Sequence, residues 1–366
     1  MISMKKFVCL IWSIAFAMNV MGQNASTSQK KPTTIDPSLT KVEDEFMNRQ
    51  SAYFLDLIEK NLHTHPPLME TPEARMLTLY MLDAVLHDKY AAYREPVQKF
   101  FHHRIDQALT EIENTKVDSG IKIWKLYNIG FIARTKSVTI AFDLVTGNTP
   151  EAIGFAIPDA TMERIIKQCD VLFISHRHRD HAQIEVAQSF LDKGKVVVAP
   201  PQVWEGQEIH SRITHLKRES HTKQKLALKG GKVNLEVVNY PGHQMSSHEN
   251  NVPLIYTPEG ITIAHSGDQI NEGKFMVDYD WIDDVHKHHQ LDIFLVNNWT
   301  NDILRIAKGL NPKLIIPGHE NELGHTFDDR VPYWGDEKYL GLEYTQLKQT
   351  YPVLLMVWGE SFHYSK

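Results

Sequence analysis

Four side chains able to ligate a metal fall within six consecutive residues, His176-Arg177-His178-Arg179-Asp180-His181, directly after the apolar run Val171-Leu172-Phe173-Ile174 and Ser175. In an extended stretch side chains alternate, so His176 and His178 are predicted to project to one side while Arg177 and Arg179 point away. Asp180 and His181 come where the chain is expected to turn into a helix near Ala182, which aims them at a second point a few ångströms from the first. The arrangement suits two metal ions. Zinc takes imidazole nitrogen and carboxylate oxygen at about 2.0 to 2.2 Å, and a catalytic site keeps one position open for water.

Further candidates repeat the same grammar at the ends of later apolar runs: Tyr240-Pro241-Gly242-His243, Ala264-His265-Ser266-Gly267-Asp268 and Ile315-Ile316-Pro317-Gly318-His319-Glu320. In each, a strand runs out, a glycine frees the backbone, and a His or Asp is presented at the sheet edge, where α/β sites are usually built. The chain has 20 histidines, so it is this recurring context, more than the residue type, that singles these out. His248 is an alternative to His243. His243 is preferred because it follows a Pro-Gly turn directly after a strand, as His319 does, whereas His248 lies deeper in a polar loop. His265, three residues before Asp268, is expected to orient a ligand from behind. His325, His363 and the group His286, His288 and His289 read as surface or packing residues.

The surrounding chain predicts mixed layers of strand and helix. Short β-rich runs are expected at 121–126, 131–134, 138–142, 171–174, 195–199, 233–238, 261–264, 293–296 and 314–316, with helical spacing at 161–168, 182–192, 281–289 and 301–308. Residues from about 41 to 115 look helical. Within them Thr71-Pro72-Glu73 supplies a capping residue, a proline for the first turn and an acid, and Leu77, Tyr80, Met81, Ala84 and Val85 form an apolar stripe. There is no internal repeat, Gly-rich phosphate loop, Walker lysine or G-x-S-x-G elbow, which removes the common nucleotide and serine-hydrolase mechanisms.

From about Gly120 to the C-terminus the sequence resembles the metallo-β-lactamase fold superfamily, whose motifs are an Asp after an early strand, H-x-H-x-D-H, a His, an Asp and a final His. Asp143 in Ala141-Phe142-Asp143 is similar to the first motif, whose Asp is usually structural. The resemblance implies a four-layer αββα sandwich after a helical extension. It also implies that His176, His178 and His243 hold one metal, that Asp180, His181 and His319 hold the other, and that Asp268 bridges them. The flanking Ser175-His176 and Trp358-Gly359-Glu360 look most like the branch of sugar-phosphate lactonases and phospholipase D-type hydrolases. His178 stands where the resembling flavo-diiron oxygen reductases carry a Glu, which favours hydrolysis, although thiol dioxygenases of the same fold keep this His and use one iron.

Two close divalent cations make hydrolysis the default chemistry, with Asp180 orienting or deprotonating the attacking water. Zinc is the expected metal, and imidazole with carboxylate also serves iron and manganese. The expected substrate is a small molecule carrying an ester, lactone or phosphodiester bond. The alternatives are a mononuclear iron thiol dioxygenase and a non-catalytic periplasmic metal-binding protein. A net charge of −6 over 366 residues offers no basic field for a phosphate backbone, so no nucleic-acid partner is expected. The sequence is silent on oligomeric state. Lys217, Arg218, Lys223 and Lys225 read chiefly as a solvated face, with an anion-receiving role as the alternative. Trp204, Trp299 and Trp334 are candidates for pocket walls or core.

The N-terminus has its own pattern. Lys5 and Lys6 precede an apolar run from Phe7 to Val20, and Val20 and Gly22 are small enough for a cleavage site. Residues 1–22 therefore read as a signal peptide cut after Gly22, residues 23–40 as a flexible tether, 41–118 as the helical extension and 119–366 as the metallo-β-lactamase-like domain. The mature chain would be periplasmic or secreted, with no membrane span. Cleavage removes Cys9 and leaves Cys169 alone, so no internal disulfide is possible.

Overall fold

The computed structural model describes residues 37–147, 154–244, 248–269, 273–298, 300, 302–323 and 341–366. The predicted signal peptide, Trp299, His325 and Trp334 lie outside them. Residues up to Met47 form a unit of their own, of which the helical residues 37–47 are described, and everything below concerns the second unit, Asn48–Lys366.

The expected helical stretch is three helices, α1 (Pro37–Thr64), α2 (Glu73–Leu86) and α3 (Glu95–Asn114). Helix α1 thus starts inside the predicted tether and stops just before Pro66-Pro67, which lack backbone donors and bias the preceding residue away from helix. In α2, Pro72 is the N-cap residue and the helix begins one position later than predicted. Its buried face also differs from the predicted stripe: Arg75, Thr78, Leu79, Leu82 and Leu86 are buried, while Leu77 is 55% and Tyr80 48% exposed. The reason is a buried charge pair. Arg75 is fully buried and donates to the Glu360 carboxylate (3.0 and 2.5 Å) and to the Leu355 carbonyl (2.8 Å). That pairing rotates a polar residue into the seam that hydrophobicity alone would leave outside.

Twelve strands among the described residues form two six-stranded sheets. The first contains β1 (Ile121–Lys125), β2 (Phe131–Arg134), β3 (Thr139–Phe142), β4 (Val171–Phe173), β5 (Val196–Val198) and β12 (Ser361–Tyr364), ordered β12-β1-β2-β3-β4-β5. Strands β3, β4 and β5 are parallel, with α4 (Asp159–Gln168) and α5 (Ile184–Asp192) as crossovers. The second sheet holds β6 (Lys223–Leu228), β7 (Val233–Gln244), β8 (His248–Tyr256), β9 (Thr262–His265), β10 (Ile293–Asn297) and β11 (Leu314–Gly318), ordered β11-β10-β9-β8-β7-β6. Here β9, β10 and β11 are parallel, and α8 (Ile303–Leu310) links the last two. Between β9 and β10 lie the one-turn helices α6 (Tyr279–Ile282) and α7 (Val285–His288).

Strand alternation builds the layers. Ile140, Phe142, Phe173, Leu235, Val237, Ile263, Leu295 and Ile316 pack in one cluster contributed by both sheets. Their neighbours Ala141, Leu172, Val238, Leu254 and Phe294 join the helical residues Leu79, Phe101, Ile165, Phe190 and Ile306 in another. The sheets therefore face each other with helices outside. Fully burying a side chain of this size stabilises by about 1.5 to 3 kcal/mol, so the two clusters dominate the favourable side of folding. Because β3 and β4 are parallel, as are β9, β10 and β11, the C-terminal ends of all five open at the edges of their sheets. Asn251 N–H donates to the Ser175 carbonyl (2.8 Å), and this bond ties the sheets together there.

Candidate metal centre

Asp143 leaves β3 in the left-handed region (φ 43°), an uncommon conformation for a residue with a side chain and one that needs support from its surroundings. The support is a set of three donors. Ser175 N–H and Oγ–H donate to its two carboxylate oxygens (2.7 and 2.6 Å), and His181 Nδ1 donates to Oδ2 (2.8 Å). Asp143 thus ties the end of β4 to the turn before α5, and it leaves His181 Nε2 facing the interior of the site. A ligating histidine is held in this way by a carboxylate behind it. His265 has a similar supporting role: its Nδ1 accepts from Gly267 N–H (3.1 Å), its Nε2 donates to the Ile129 carbonyl (3.3 Å), and its ring stacks on Phe142. With both nitrogens committed, His265 supports the turn that carries Asp268. Gly267 lies in that turn at φ 51°, where an added Cβ would collide with Ser175 and Asn250.

Two groups of potential ligands converge in front of these supports, Asp180-His181-Asp268-His319 and His176-His178-Asp268. His181 Nε2 lies 2.9 Å from Asp180 Oδ2 and 3.2 Å from His319 Nε2, which is itself 3.2 Å from Asp180 Oδ2. Ligands at about 2.1 Å from a shared cation stand roughly 3.0 to 3.4 Å from one another, so this spacing fits a metal. Asp268 Oδ2 is 3.3 Å from His181 Nε2 and 3.5 Å from His176 Nε2, while Oδ1 is 3.6 Å from His319 Nε2. Asp268 therefore belongs to both groups.

Two further observations test the fit. His176 Nε2 is fully buried with no hydrogen-bond partner among the described residues, a costly state for a polar atom unless a ligand satisfies it. Burial disfavours a charge on His181 and His319, yet Asp180 and Asp268 beside them raise the pKa of both above the ordinary imidazole value. The carboxylates call for positive charge at this spot, and a divalent cation on nitrogen and oxygen donors would supply it.

The structure brings together six of the seven residues named as metal ligands, with Asp180 among them, and places His243 elsewhere. The Pro241-Gly242 pair does not end β7, which runs on to Gln244 and pairs with β8, His243 opposite Glu249 and Gln244 opposite His248. Consecutive strand residues point to opposite faces. His243 accordingly turns to Asp278, its Nδ1 2.9 and 3.1 Å from the carboxylate oxygens. Gln244 and His248 take the other face, where the His248 ring meets His178 edge-on at 4.9 Å between centroids. The alternative residue, His248, occupies the position expected of His243.

A family model described as the beta-lactamase superfamily domain matches residues 122–319, more than half of the chain and every residue of the two ligand groups. The chain belongs to the metallo-β-lactamase superfamily. No curated protein matches it. Among solved structures it is similar to Igni18, a metallo hydrolase from the archaeon Ignicoccus hospitalis (17% identity, TM-score 0.49, covering 68% of this chain and 100% of that one). It is also similar to CmlA, a diiron β-hydroxylase from Streptomyces venezuelae (14%, TM-score 0.46, 68% and 55%), and to a putative metal-dependent hydrolase from Parabacteroides distasonis (15%, TM-score 0.42, 66% and 96%).

Several residues of this metallo-β-lactamase centre carry no sequence signal of their own. Asn128, at φ 57°, donates to Asp180 Oδ2 (3.3 Å) and to its carbonyl (3.2 Å). Asn297, at the end of β10, donates to Asp268 Oδ1. Lys125 is fully buried, bonds to Glu320 and donates to the Pro317 and Met356 carbonyls, which fixes the strand end that carries His319. A charged residue inside a predicted strand was the one available clue to it. Two of the four basic residues considered for anion capture are engaged elsewhere: Arg218 binds Glu249, Asn251 and the Gly242 carbonyl, and Lys223 pairs with Glu236 and covers the Tyr256 ring. A cavity of about 780 Å³ opens instead beside the motif itself, lined by Arg177, Arg179, Gln183, Gln202 and Trp204.

Proposed function

We propose that this metallo-β-lactamase superfamily member is an exported hydrolase that uses two divalent cations, zinc in the first instance, to cleave an ester, lactone or phosphodiester bond. The observation that carries the reading is Asp268, whose carboxylate reaches both ligand groups at once. His176, His178 and His248 would hold one ion, Asp180, His181 and His319 the other, with Asp268 between them. When bound, such ions lower the pKa of a water and stabilise negative charge developing on the substrate oxygen.

The chain's own residues do the rest. Asp143 and Asn297 keep His181 and Asp268 aimed, and Asn128 holds the Asp180 carboxylate, which orients the attacking water and takes up its proton. Arg177, Arg179 and Trp204 line the cavity in which a small substrate would lie. Export rests on the Lys5 to Gly22 pattern, and no helix of the described residues is long and apolar enough to cross a membrane.

The test is a metal-free preparation reloaded with zinc and assayed on a nitrophenyl ester, a γ-lactone and bis-nitrophenyl phosphate. Two equivalents per chain and chelator-sensitive turnover on at least one substrate are expected, with Asp268→Ala slowed at least about 100-fold, within the range of losses for a group that acts in the transition state. One iron per chain with oxygen consumption on a thiol would establish the dioxygenase instead. Full metal occupancy with no turnover on the panel would establish a metal-binding protein without catalysis.

A further inference from the structure

On a different face of the second sheet, away from the ligand groups already described, two histidines and an aspartate meet from separate segments. His221 lies in the turn before β6, in the left-handed region (φ 63°), while Asp284 and His288 flank α7 four residues apart, the spacing that puts two side chains on one helical face. His288 Nε2 is 2.9 Å and His221 Nε2 3.5 Å from the same oxygen, Asp284 Oδ2. The two imidazole rings lie 3.9 Å apart between centroids. All three ligand atoms lie within 4.8 Å of one another.

The surroundings favour a ligand over a simple ion pair. The other nitrogen of His221, Nδ1, is 3.1 Å from the Tyr240 hydroxyl, and Tyr240 is itself fixed by stacking on Trp281. A ring braced at one nitrogen offers the other as a donor in a defined direction. Burial and the neighbouring His288 hold His221 below the ordinary imidazole pKa, so its lone pair is available at neutral pH. Next to this group His289, 92% buried by its 8% exposure, binds Tyr256 through Nδ1 (2.6 Å), while its Nε2 has no hydrogen-bond partner among the described residues. Its ring lies 5.8 Å from that of His221. Two stacked imidazoles, a shared carboxylate and a neighbouring buried nitrogen without a partner have the donor chemistry of a borderline divalent cation.

We propose that His221, Asp284 and His288 form a separate, solvent-facing site for a divalent transition metal of the zinc type. It fastens the turn before β6 to α7 and leaves coordination positions open to water. The ligands are half exposed (28%, 31% and 46%), so the ion would exchange with solvent and act as a clamp. The proposal is independent of the hydrolase reading, because it shares no residue with that centre.

The experiment is a titration of the metal-free full chain with Zn²⁺ by calorimetry and with Co²⁺ by its visible absorption. Wild type is compared with His221→Ala, Asp284→Asn and His288→Ala. Wild type should take up one equivalent more than each variant, or hold that equivalent at least about tenfold more tightly, with turnover on any reporter substrate retained. Zinc should also raise the thermal midpoint of wild type more than that of the variants. Equal stoichiometry, affinity and midpoint shift in wild type and variants would overturn the site. If His221→Ala fails to fold, the exposed Asp284→Asn and His288→Ala decide on the same criteria. Absence of turnover in wild type, with the extra equivalent present, would count against the hydrolase and not against this site.

Discussion

His181 gives its Nδ1 proton to Asp143 at 2.8 Å and faces the two ligand groups with Nε2. One buried carboxylate therefore sets the direction of an imidazole that arrives on a different loop. Asp143→Asn keeps the shape but cannot accept from Ser175 and His181 together, since half of the amide is a donor. Metal affinity is expected to fall about 10- to 100-fold, measured by competition with a chromophoric chelator. Unchanged affinity would remove Asp143 from the supporting role.

The two histidines of the β7–β8 hairpin should separate cleanly. His248→Ala is expected to cost one equivalent of metal, or to weaken one equivalent at least about tenfold. His243→Ala should leave both stoichiometry and affinity within twofold of wild type, because that ring is engaged with Asp278. Elemental analysis after dialysis distinguishes them, and the opposite pattern would restore His243 as the ligand.

The pair Arg75–Glu360 is buried on both sides (0% and 7% exposed). Glu360→Ala leaves a guanidinium without its carboxylate, and urea unfolding should show a loss of about 3 to 5 kcal/mol. The double variant Arg75→Met with Glu360→Leu should recover most of that loss. A single variant as stable as wild type would show that water reaches the pair.

Cys169 is fully buried, and burial pushes its thiol up from an ordinary 9.0 to about 12. A group whose pKa is higher in the folded chain contributes stability that is complete below pH 9 and is lost as the pH rises towards 12. Native protein should not react with a disulfide reagent at pH 8 and should react fully in urea. Cys169→Ala should flatten the alkaline side of a stability profile. Rapid labelling of the native protein would contradict the burial.

Much of this arrangement could be read from residue order. The apolar runs ending in Asp143, His176, Asp268 and His319 are strands, and their ends do meet. Failures arose where local chemistry misled. Pro241-Gly242 has the composition of a turn but lies within a strand, because Gly242 is required where Gln269 and Asn250 approach its backbone. Strand β8 opens with His248-Glu249-Asn250-Asn251, too polar to read as a strand, because those side chains serve the site and Arg218 in place of a core. Strand β6 was hidden by its lysines, and the predicted helix at 281–289 breaks at Asp283-Asp284 into two single turns. Asn128 and Asn297 could not be identified in advance, since their role exists only once distant loops are adjacent.

The carboxylate of Glu360 is grasped by Arg75, while Arg104 donates to the Trp358 carbonyl beside it and pairs with Glu59. Glu360 emerges from the ribosome among the last residues of the chain. Until it does, the helical segment made first carries two arginines whose final counter-charge has not yet been synthesised, so its docking must wait for translation to finish. A fragment cut at the apparent junction near Gly120 would strand those partners on opposite pieces, which makes the N-terminal helices a late-closing cover and a poor candidate for removal when a smaller protein is wanted.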